Sequence, residues 1–295
     1  MKVRTPRFCN FLLFLILCLF DPRCPVAADQ GPAPDRIVSL APSITESLFA
    51  IGAGERVVGV TDHDVFPEEV KVIPSVGGYY DPSLERILAL SPQLVIGIAT
   101  FHGKLLERLE TLGVDTLPLT IHRGLDGVRE CIFSLGSRLN RENEAREVLE
   151  GIEKDLKEVR EEVTRAFPDG PPTLLVVVWH DPLTVAGGVN YIDDIMKIIG
   201  IPNAASDIRY TFPRMDPEGI VSRDPDIILV PRTERGMSLP PELLMETLKG
   251  FPISAVRSGR VASVHADLLF HPGPRVAEAA KSLLEAAVSL GGGEK

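Results

Sequence analysis

A long amphipathic segment constrains the fold more than any other feature of this sequence. Residues 140–167 contain no proline and a single glycine, Gly151, and they are rich in glutamate, lysine and arginine. Their apolar residues recur at helical spacing, which predicts one long helix with an apolar stripe. The helix should end at residues 168–172, where three prolines and a glycine lie close together.

Short β-branched runs alternate with helical patterns on both sides of this segment. The candidate strands are residues 37–40, 56–60, 94–98 and 114–119 before it, and 174–178, 227–230 and 260–264 after it. Such alternation is typical of βαβ units and parallel sheets. The sequence therefore predicts an α/β fold with two small parallel-sheet lobes. We place the lobes at residues 36–139 and 173–290, joined by a rigid helix over residues 140–168.

The N-terminus has the pattern of an export signal. Basic residues precede a mostly apolar run over residues 8–20, and a small-residue pattern ends at Ala28. We predict that residues 1–28 are a signal peptide cleaved after Ala28, which places the protein in the periplasm. A retained membrane anchor is the alternative, although the run is short for a membrane-spanning helix. Neither Cys18 nor Cys24 follows the small residue of a lipoprotein signal, so we expect no lipid anchor.

The charge and cysteine content of the mature chain exclude other classes. Without residues 1–28, 27 basic and 40 acidic residues remain, a formal charge of −13. Nucleic acid is therefore not an expected partner. Cys131 is the one cysteine left, so no intrachain disulfide can form and the core must provide the stability.

The two halves share a weak internal repeat. Glu85 and Glu218 each lie seven residues before a proline, Pro92 and Pro225, that opens an apolar strand. Each copy predicts a short helix that leads into a strand, although proline is common at such junctions and offers a simpler explanation. Duplicated lobes commonly enclose a ligand between them, so we expect the binding cleft there.

Histidines follow the predicted strands, where the ligands of open parallel sheets bind. Five of the six histidines lie directly after a strand, and the remaining one is close behind. In chain order they are His63, His102, His122, His180, His265 and His271. One of them can coordinate a ligand metal or bond to the edge of the ligand, and His63 is our first candidate.

Aromatic residues are stronger candidates, because a corrin or porphyrin is a large, mostly apolar disc that stacks on rings. Tyr79 and Tyr80 follow two glycines, so we expect them on a loop. Phe212 lies just before the second copy of the repeat. Trp179 ends a predicted strand and fits the cleft or the core equally well.

Pro42 and Ser43 open a predicted helix. Ser43 followed by Glu46 three residues later has the pattern of a capping box. Free amides of the first turn would then face the cleft and bond to an amide or carboxylate of the ligand. Ordinary capping, without a ligand role, is the alternative.

The sequence resembles the helical-backbone periplasmic binding proteins for cobalamin, ferric siderophores and haem, and among them most closely the cobalamin-binding proteins. The residues that carry the resemblance are 36–46, 59–62, 76–87 and 92–96, with looser matches at 217–218, 224–226 and 273–275. The resemblance implies a ligand cleft between two lobes and little hinge closure. It also implies delivery of a small-molecule ligand to the permease dimer of an ABC importer with its ATPase subunits.

The same resemblance implies roles for individual residues. Phe212 occupies an aromatic ligand position, and Asp267 occupies an acidic position in the cleft. Glu85 and Glu218 correspond to glutamates that meet arginines of the permease.

The sequence lacks the common catalytic motifs, which argues against an enzyme. The sequence has no Gly-x-Ser-x-Gly, no P-loop, no His-Glu-x-x-His and no dinucleotide fingerprint. We therefore predict a monomeric, non-enzymatic binding protein with no resident cofactor or metal. A zinc or manganese binder that uses histidines with Asp62, Asp181 or Asp267 is an alternative.

The ligand expected from these observations is a corrinoid. Haem is second, because Tyr79 or Tyr80 can provide an axial phenolate. A ferric siderophore remains open, although catecholates call for clustered basic residues. The chain offers four scattered arginines for that purpose, Arg123, Arg209, Arg214 and Arg232.

Overall fold

The computed structural model describes residues 33–121, 124–232 and 240–291. The predicted signal peptide with its cleavage site, and the candidates His122 and Arg123, lie outside the described residues. From Pro34 onward the described chain forms one compact unit. The predicted domain boundaries stay a prediction.

A four-stranded parallel sheet occupies the first half of the chain. Its strands are β1 (Ile37–Ser39), β2 (Val57–Gly59), β3 (Leu94–Ile98) and β4 (Asp115–Leu119), in the order β2-β1-β3-β4. The helices are α1 (Pro42–Ala50), α2 (Leu84–Ala89), α3 (Ala99–Thr111) and α4 (Gly124–Arg138), with 3-10 turns at Gly54–Arg56 and Glu68–Val72. Strands β1 and β3 are buried along their whole length, as expected for apolar strands covered on both faces.

The long helix and a second sheet follow. The helix is α5 (Glu142–Ala166), as predicted from the apolar stripe. The strands are β5 (Leu174–His180), β6 (Leu183–Val185), β7 (Ile227–Arg232) and β8 (Val261–His265), in the order β6-β5-β7-β8. The remaining described helices are α6 (Tyr191–Ile199), α7 (Pro217–Arg223), α8 (Pro241–Leu248), α9 (Ser254–Arg257), α10 (Ala266–Phe270) and α11 (Val276–Gly291).

The second sheet is not wholly parallel, which corrects the sequence prediction. Strand β5 runs to His180, two residues beyond the predicted end, and the chain then turns back into β6, which pairs with β5 antiparallel. Strands β5, β7 and β8 are parallel. With three residues, β6 is too short to show an alternating pattern, so periodicity could not reveal it.

Helix α5 joins the two halves through one continuous core. Its buried residues pack against α4 from the first half and against α6 and α11 from the second. One hydrophobic cluster runs from Ile37 on β1 to Ala287 on α11. Cys131 lies in this cluster as a free thiol, and burial raises its pKa to about 12.

The described helices do not meet the requirements of a membrane span. None of those in residues 33–121, 124–232 and 240–291 combines the necessary length with the necessary hydropathy.

A buried ion pair adds a second link between the halves. Arg275, just before α11, donates to both carboxylate oxygens of Glu46 on α1, at 2.8 Å from Nε and 2.5 Å from Nη2. The Glu46 side chain is 2% exposed and that of Arg275 is 16% exposed. The guanidinium carbon also lies 4.2 Å from the ring centroid of Phe66. Burial raises the pKa of Glu46, whereas its bonds to Arg275 act in the opposite direction.

We expect Arg275→Ala to lower the free energy of unfolding by about 3–5 kcal/mol, because it leaves a buried carboxylate without its partner. Urea denaturation followed by circular dichroism measures the change. The control is Lys249→Ala, which breaks a pair with Glu246 whose side chains are 68% and 67% exposed and should cost no more than about 1 kcal/mol. The double variant Glu46→Leu with Arg275→Met should recover much of the loss. Equal, small effects of Arg275→Ala and Lys249→Ala would contradict this role for the pair.

Candidate ligand-binding site

A cavity of about 620 Å³ lies between the two halves. The first half lines it with Pro42, Ser43, His63, Tyr79, Tyr80, Ile98, Thr100, Phe101, Ile121 and Gly124. The second half lines it with Asn190, Tyr191, Ile192, Thr211, Phe212, Leu269, Phe270, His271 and Pro272. A mostly apolar cavity with a few polar groups is typical of a small-molecule site.

Six of the eight predicted ligand residues line this cavity. They are Pro42, Ser43, His63, Tyr79, Tyr80 and Phe212. Trp179 and Asp267 are not among the lining residues. Strand β5 carries Trp179 into the pairing with β6, and the indole nitrogen donates to the carbonyl of Asp181 at 2.8 Å. Asp267 lies in the first turn of α10, whereas the last two residues of that helix line the cavity.

The loop that carries the two tyrosines is closed at its base. Gly77 and Pro82 form an isolated bridge, and the amide of Ser83 donates to the carbonyl of Val76 at 2.7 Å. Gly77 has a φ of +114°, which side-chain-bearing residues rarely adopt. Gly77 therefore fixes a turn at the base of the loop.

Tyr79 lies at the centre of an aromatic cluster. The distances between ring centroids are 4.7 Å to Tyr80, 5.5 Å to Phe101 and 5.4 Å to His102. Burial raises the pKa of Tyr79, so its phenol is protonated at neutral pH. Tyr80 is 73% exposed and forms the outer part of the cluster.

On the opposite wall, a close backbone approach positions Phe212. The amide of Gly187 donates to the carbonyl of Thr211 at 3.0 Å, and a Cβ at Gly187 would lie 2.1 Å from the carbonyl oxygen of Tyr210. The side-chain amide of Asn190 donates to the carbonyls of Gly187 and Thr211, both at 2.8 Å. These bonds hold the Phe212 loop against the N-terminus of α6.

The structure brings two histidines to the cavity, one from each half. The sequence predicted His63 for the site, whereas His271 follows the end of β8 only after a short helix. Burial lowers the pKa of His271 to about 4, with the charges of Arg275 and His63 acting in the same direction and that of Asp267 opposing them. His271 is therefore neutral at physiological pH. Among the described residues, its Nδ1 is buried without a hydrogen-bond partner.

Three other histidines were expected just after a strand, but each lies within a helix or a strand. His102 is in α3, His180 ends β5 and His265 ends β8. His102 is 1% exposed, and His180 and His265 are exposed outside the cavity lining. Within the described parts of the chain, no group of three or more His, Cys, Asp or Glu side chains is arranged to hold a metal ion.

The predicted capping box does not form. Helix α1 has Ala41 at its N-cap and Pro42 at its first position, and no side chain caps it. Glu46 bonds to Arg275 instead of reaching back to the helix start. Pro42 has no N–H, so the first turn offers fewer free amides to the cavity than predicted.

The two glutamates of the internal repeat occupy equivalent places. Glu85 and Glu218 are each the second residue of a helix, α2 and α7, and both are exposed. The helices lead into the central strands β3 and β7. Ile87 and Ile220, two residues after these glutamates, are both fully buried.

Phe101 is the main lining residue that sequence reasoning missed. It belongs to the first turn of α3 rather than to a loop, and it is 41% exposed. Its position just after β3 was the signal that could have identified it. Leu269 and Phe270 were missed because their packing depends on the placement of α10.

The fold and the cavity define a two-lobed binding protein, and comparison with known proteins agrees. A family model described as periplasmic binding protein matches residues 37–268, so the chain belongs to the periplasmic binding protein family and is a solute-binding protein. An uncharacterized ABC transporter substrate-binding lipoprotein of Bacillus subtilis, YvrC, is 29% identical over 257 residues, which cover 85% of this chain and 79% of the relative.

Relatives with named ligands are also similar to the chain. The vitamin B12-binding protein of Vibrio parahaemolyticus is 26% identical over 269 residues, covering 89% of this chain and 93% of that protein. Among solved structures, the apo form of the periplasmic heme-binding protein RhuT from Roseiflexus has a TM-score of 0.77 and 28% identity. That match covers 88% of this chain and 99% of the other.

We expect Gly187→Ala to lower the free energy of unfolding by roughly 1–3 kcal/mol, because the new methyl group would displace the backbone next to Phe212. The control is Gly151→Ala on α5, where an added Cβ has no atom within 4 Å and helix propensity should raise stability by up to about 1 kcal/mol. Thermal unfolding of both variants measures the difference. If Gly187→Ala were as stable as the wild type, the close approach of the Phe212 loop to residue 187 would not be required for stability.

Proposed function

We propose that the protein captures a corrinoid outside the cytoplasm and delivers it to an ABC importer. One observation carries the proposal: aromatic rings from both halves wall the cavity, while no arginine or lysine is among its described lining residues. A corrinoid offers a broad apolar face and neutral amide groups, which suit such walls. The vitamin B12-binding relatives support this ligand class.

Haem and a catecholate siderophore, the alternative ligands, need features that the described cavity lacks. Haem carries two carboxylates, for which basic partners are expected, and phenolate ligation by Tyr79 would have to displace a proton held by a raised pKa. A catecholate siderophore carries more negative charge still. Haem is nevertheless the second candidate, because a heme-binding protein is among the similar structures and Tyr80 faces the cavity.

Cyanocobalamin and cobinamide should bind the mature protein with one-to-one stoichiometry in titration calorimetry. Tyr79→Ala and Phe212→Ala should each weaken binding by about 1–3 kcal/mol, or roughly 5- to 150-fold in Kd, because each removes stacking area. The control is Phe133→Ala on α4, where the ring is 60% exposed and lies outside the cavity lining. Binding of haemin without either corrinoid would replace the corrinoid proposal by the haem one.

Glu85 and Glu218 are proposed as docking charges for the importer. They are exposed at equivalent positions of the two halves, where they can pair with basic residues on the two subunits of a permease dimer. Neither residue lines the cavity.

The double variant Glu85→Ala with Glu218→Ala should abolish corrinoid uptake by cells, while the purified protein keeps its ligand affinity and melting temperature. The matched control is Glu147→Ala with Glu162→Ala, which removes two exposed glutamates from α5. Loss of affinity in the docking variant would place these glutamates at the ligand. Normal uptake would leave them as helix-terminal charges only.

A further inference from the structure

His102 is a fully buried histidine with both ring nitrogens in hydrogen bonds. The amide of Ile98 donates to Nδ1 at 2.9 Å, and Nε2 lies 2.7 Å from the carbonyl oxygen of Tyr79. Because Nδ1 accepts a hydrogen bond, Nε2 must carry the proton, and the Nε2–H group donates a hydrogen bond to the carbonyl of Tyr79. The two partners therefore select one neutral tautomer.

The surroundings of the ring leave it little freedom. A Cβ at Gly97 on β3 would lie 3.1 Å from both the Cβ and the Nδ1 of His102, so glycine makes room for the imidazole. On the other side, the ring packs edge-on against Tyr79, with 5.4 Å between centroids. His102 is thus clamped between a central strand and the tyrosine loop.

The bond to Tyr79 acts at the tip of that loop. The bridge between Gly77 and Pro82 and the bond between Ser83 and Val76 close the base. Tyr79 and Tyr80 lie between these ties, at the tip, where the carbonyl of Tyr79 accepts from His102. This bond restrains the peptide that joins the two tyrosines, from which both side chains project.

We propose that His102 is a positioning residue, which holds Tyr79 and Tyr80 in the orientation that stacks on the ligand through its Nε2–H bond to the Tyr79 carbonyl. The inference rests on the proposed function, in which the two tyrosines contact a corrinoid. His102 does not line the cavity itself, so its effect on affinity passes through the loop.

Protonation of His102 would disturb this arrangement. Burial lowers the pKa of His102, so the folded protein keeps it neutral below the usual value of 6.5. The titratable side chain packed on the ring is Tyr79, whose own neighbours Tyr80 and His63 lie 4.7 and 6.4 Å away between centroids. As the pH falls below 6.5, residue 102 gains a proton in the unfolded chain but not in the folded protein. The free energy of unfolding therefore contains a component from His102 that is lost as the pH falls. His102→Gln should lack that component.

Two substitutions distinguish the effect of losing the hydrogen bond from the effect of losing the ring. His102→Leu removes the donor and should weaken cyanocobalamin binding about tenfold. His102→Gln can still donate to the Tyr79 carbonyl and should stay within about threefold of wild type. The matched control is His265→Leu at the exposed end of β8. Calorimetry provides the affinities, and circular dichroism confirms that each variant is folded.

A double-mutant cycle distinguishes positioning from a general loss of structure. In a background that carries both Tyr79→Ala and Tyr80→Ala, His102→Leu should change affinity by less than about twofold, because both rings that it positions are gone. A tenfold loss in both backgrounds would overturn the proposal, as would wild-type affinity of a folded His102→Leu.

Amide hydrogen exchange of peptides covering residues 75–83 tests the same idea without a ligand. Exchange should be faster in His102→Leu and unchanged in His102→Gln and His265→Leu. If the wild type binds neither cyanocobalamin nor cobinamide nor haemin, the proposed function fails. Amide hydrogen exchange then still tests whether His102 holds the tyrosine loop. Unchanged exchange in His102→Leu would show that His102 does not hold the loop.

Discussion

The ion pair between Glu46 and Arg275 is the constraint on which the geometry of the cavity depends. The two residues are 229 positions apart, yet each lies within a few residues of segments that line the cavity, at Pro42 and Ser43 on one side and at His271 and Pro272 on the other. A bidentate pair of this kind fixes both distance and orientation. Its contribution is less to net stability, since burying two charges is costly, than to holding two unrelated segments in a single register.

The two halves contribute walls of different construction around this fixed point. The first half offers a tyrosine loop tied to the start of α3, whereas the second offers Phe212 on a loop held by backbone contacts to Gly187. In both walls a buried side chain bonds to the backbone next to the aromatic rings: His102 to the carbonyl of Tyr79, and Asn190 to the carbonyl of Thr211. Three titratable side chains in or behind the cavity walls carry no charge at physiological pH. The pKa values of His271 and His102 are lowered and that of Tyr79 is raised, so all three are neutral. A neutral aromatic cavity selects ligands by shape and area more than by charge.

The sequence predicted the elements well and the contacts between them poorly. The helix α5 followed from its apolar periodicity, and the strand β3 from a short apolar, β-branched run between helical patterns. Tyr79 was predicted because two glycines precede it, and Phe212 because it lies just before the second copy of the repeat and matches an aromatic position of the resembling family. The pairing of Glu46 with Arg275 could not be found, since a local capping pattern explained the glutamate equally well. Strand β6 was missed because three residues are too few to show an alternating pattern. Phe101 was missed although its position just after β3 marks it as a candidate.

The continuous core has a consequence for the growing chain. Helix α5 packs on α4, which precedes it, and also on α6 and α11, which follow it, and α11 is the last described element. A polypeptide that stops before α11 leaves an apolar face of α5 in water, together with parts of α6 and β8. The first half can therefore form its sheet early, but it cannot complete its packing until the last helix is available. Premature truncation near the C-terminus should for this reason produce an aggregation-prone chain rather than a folded first lobe.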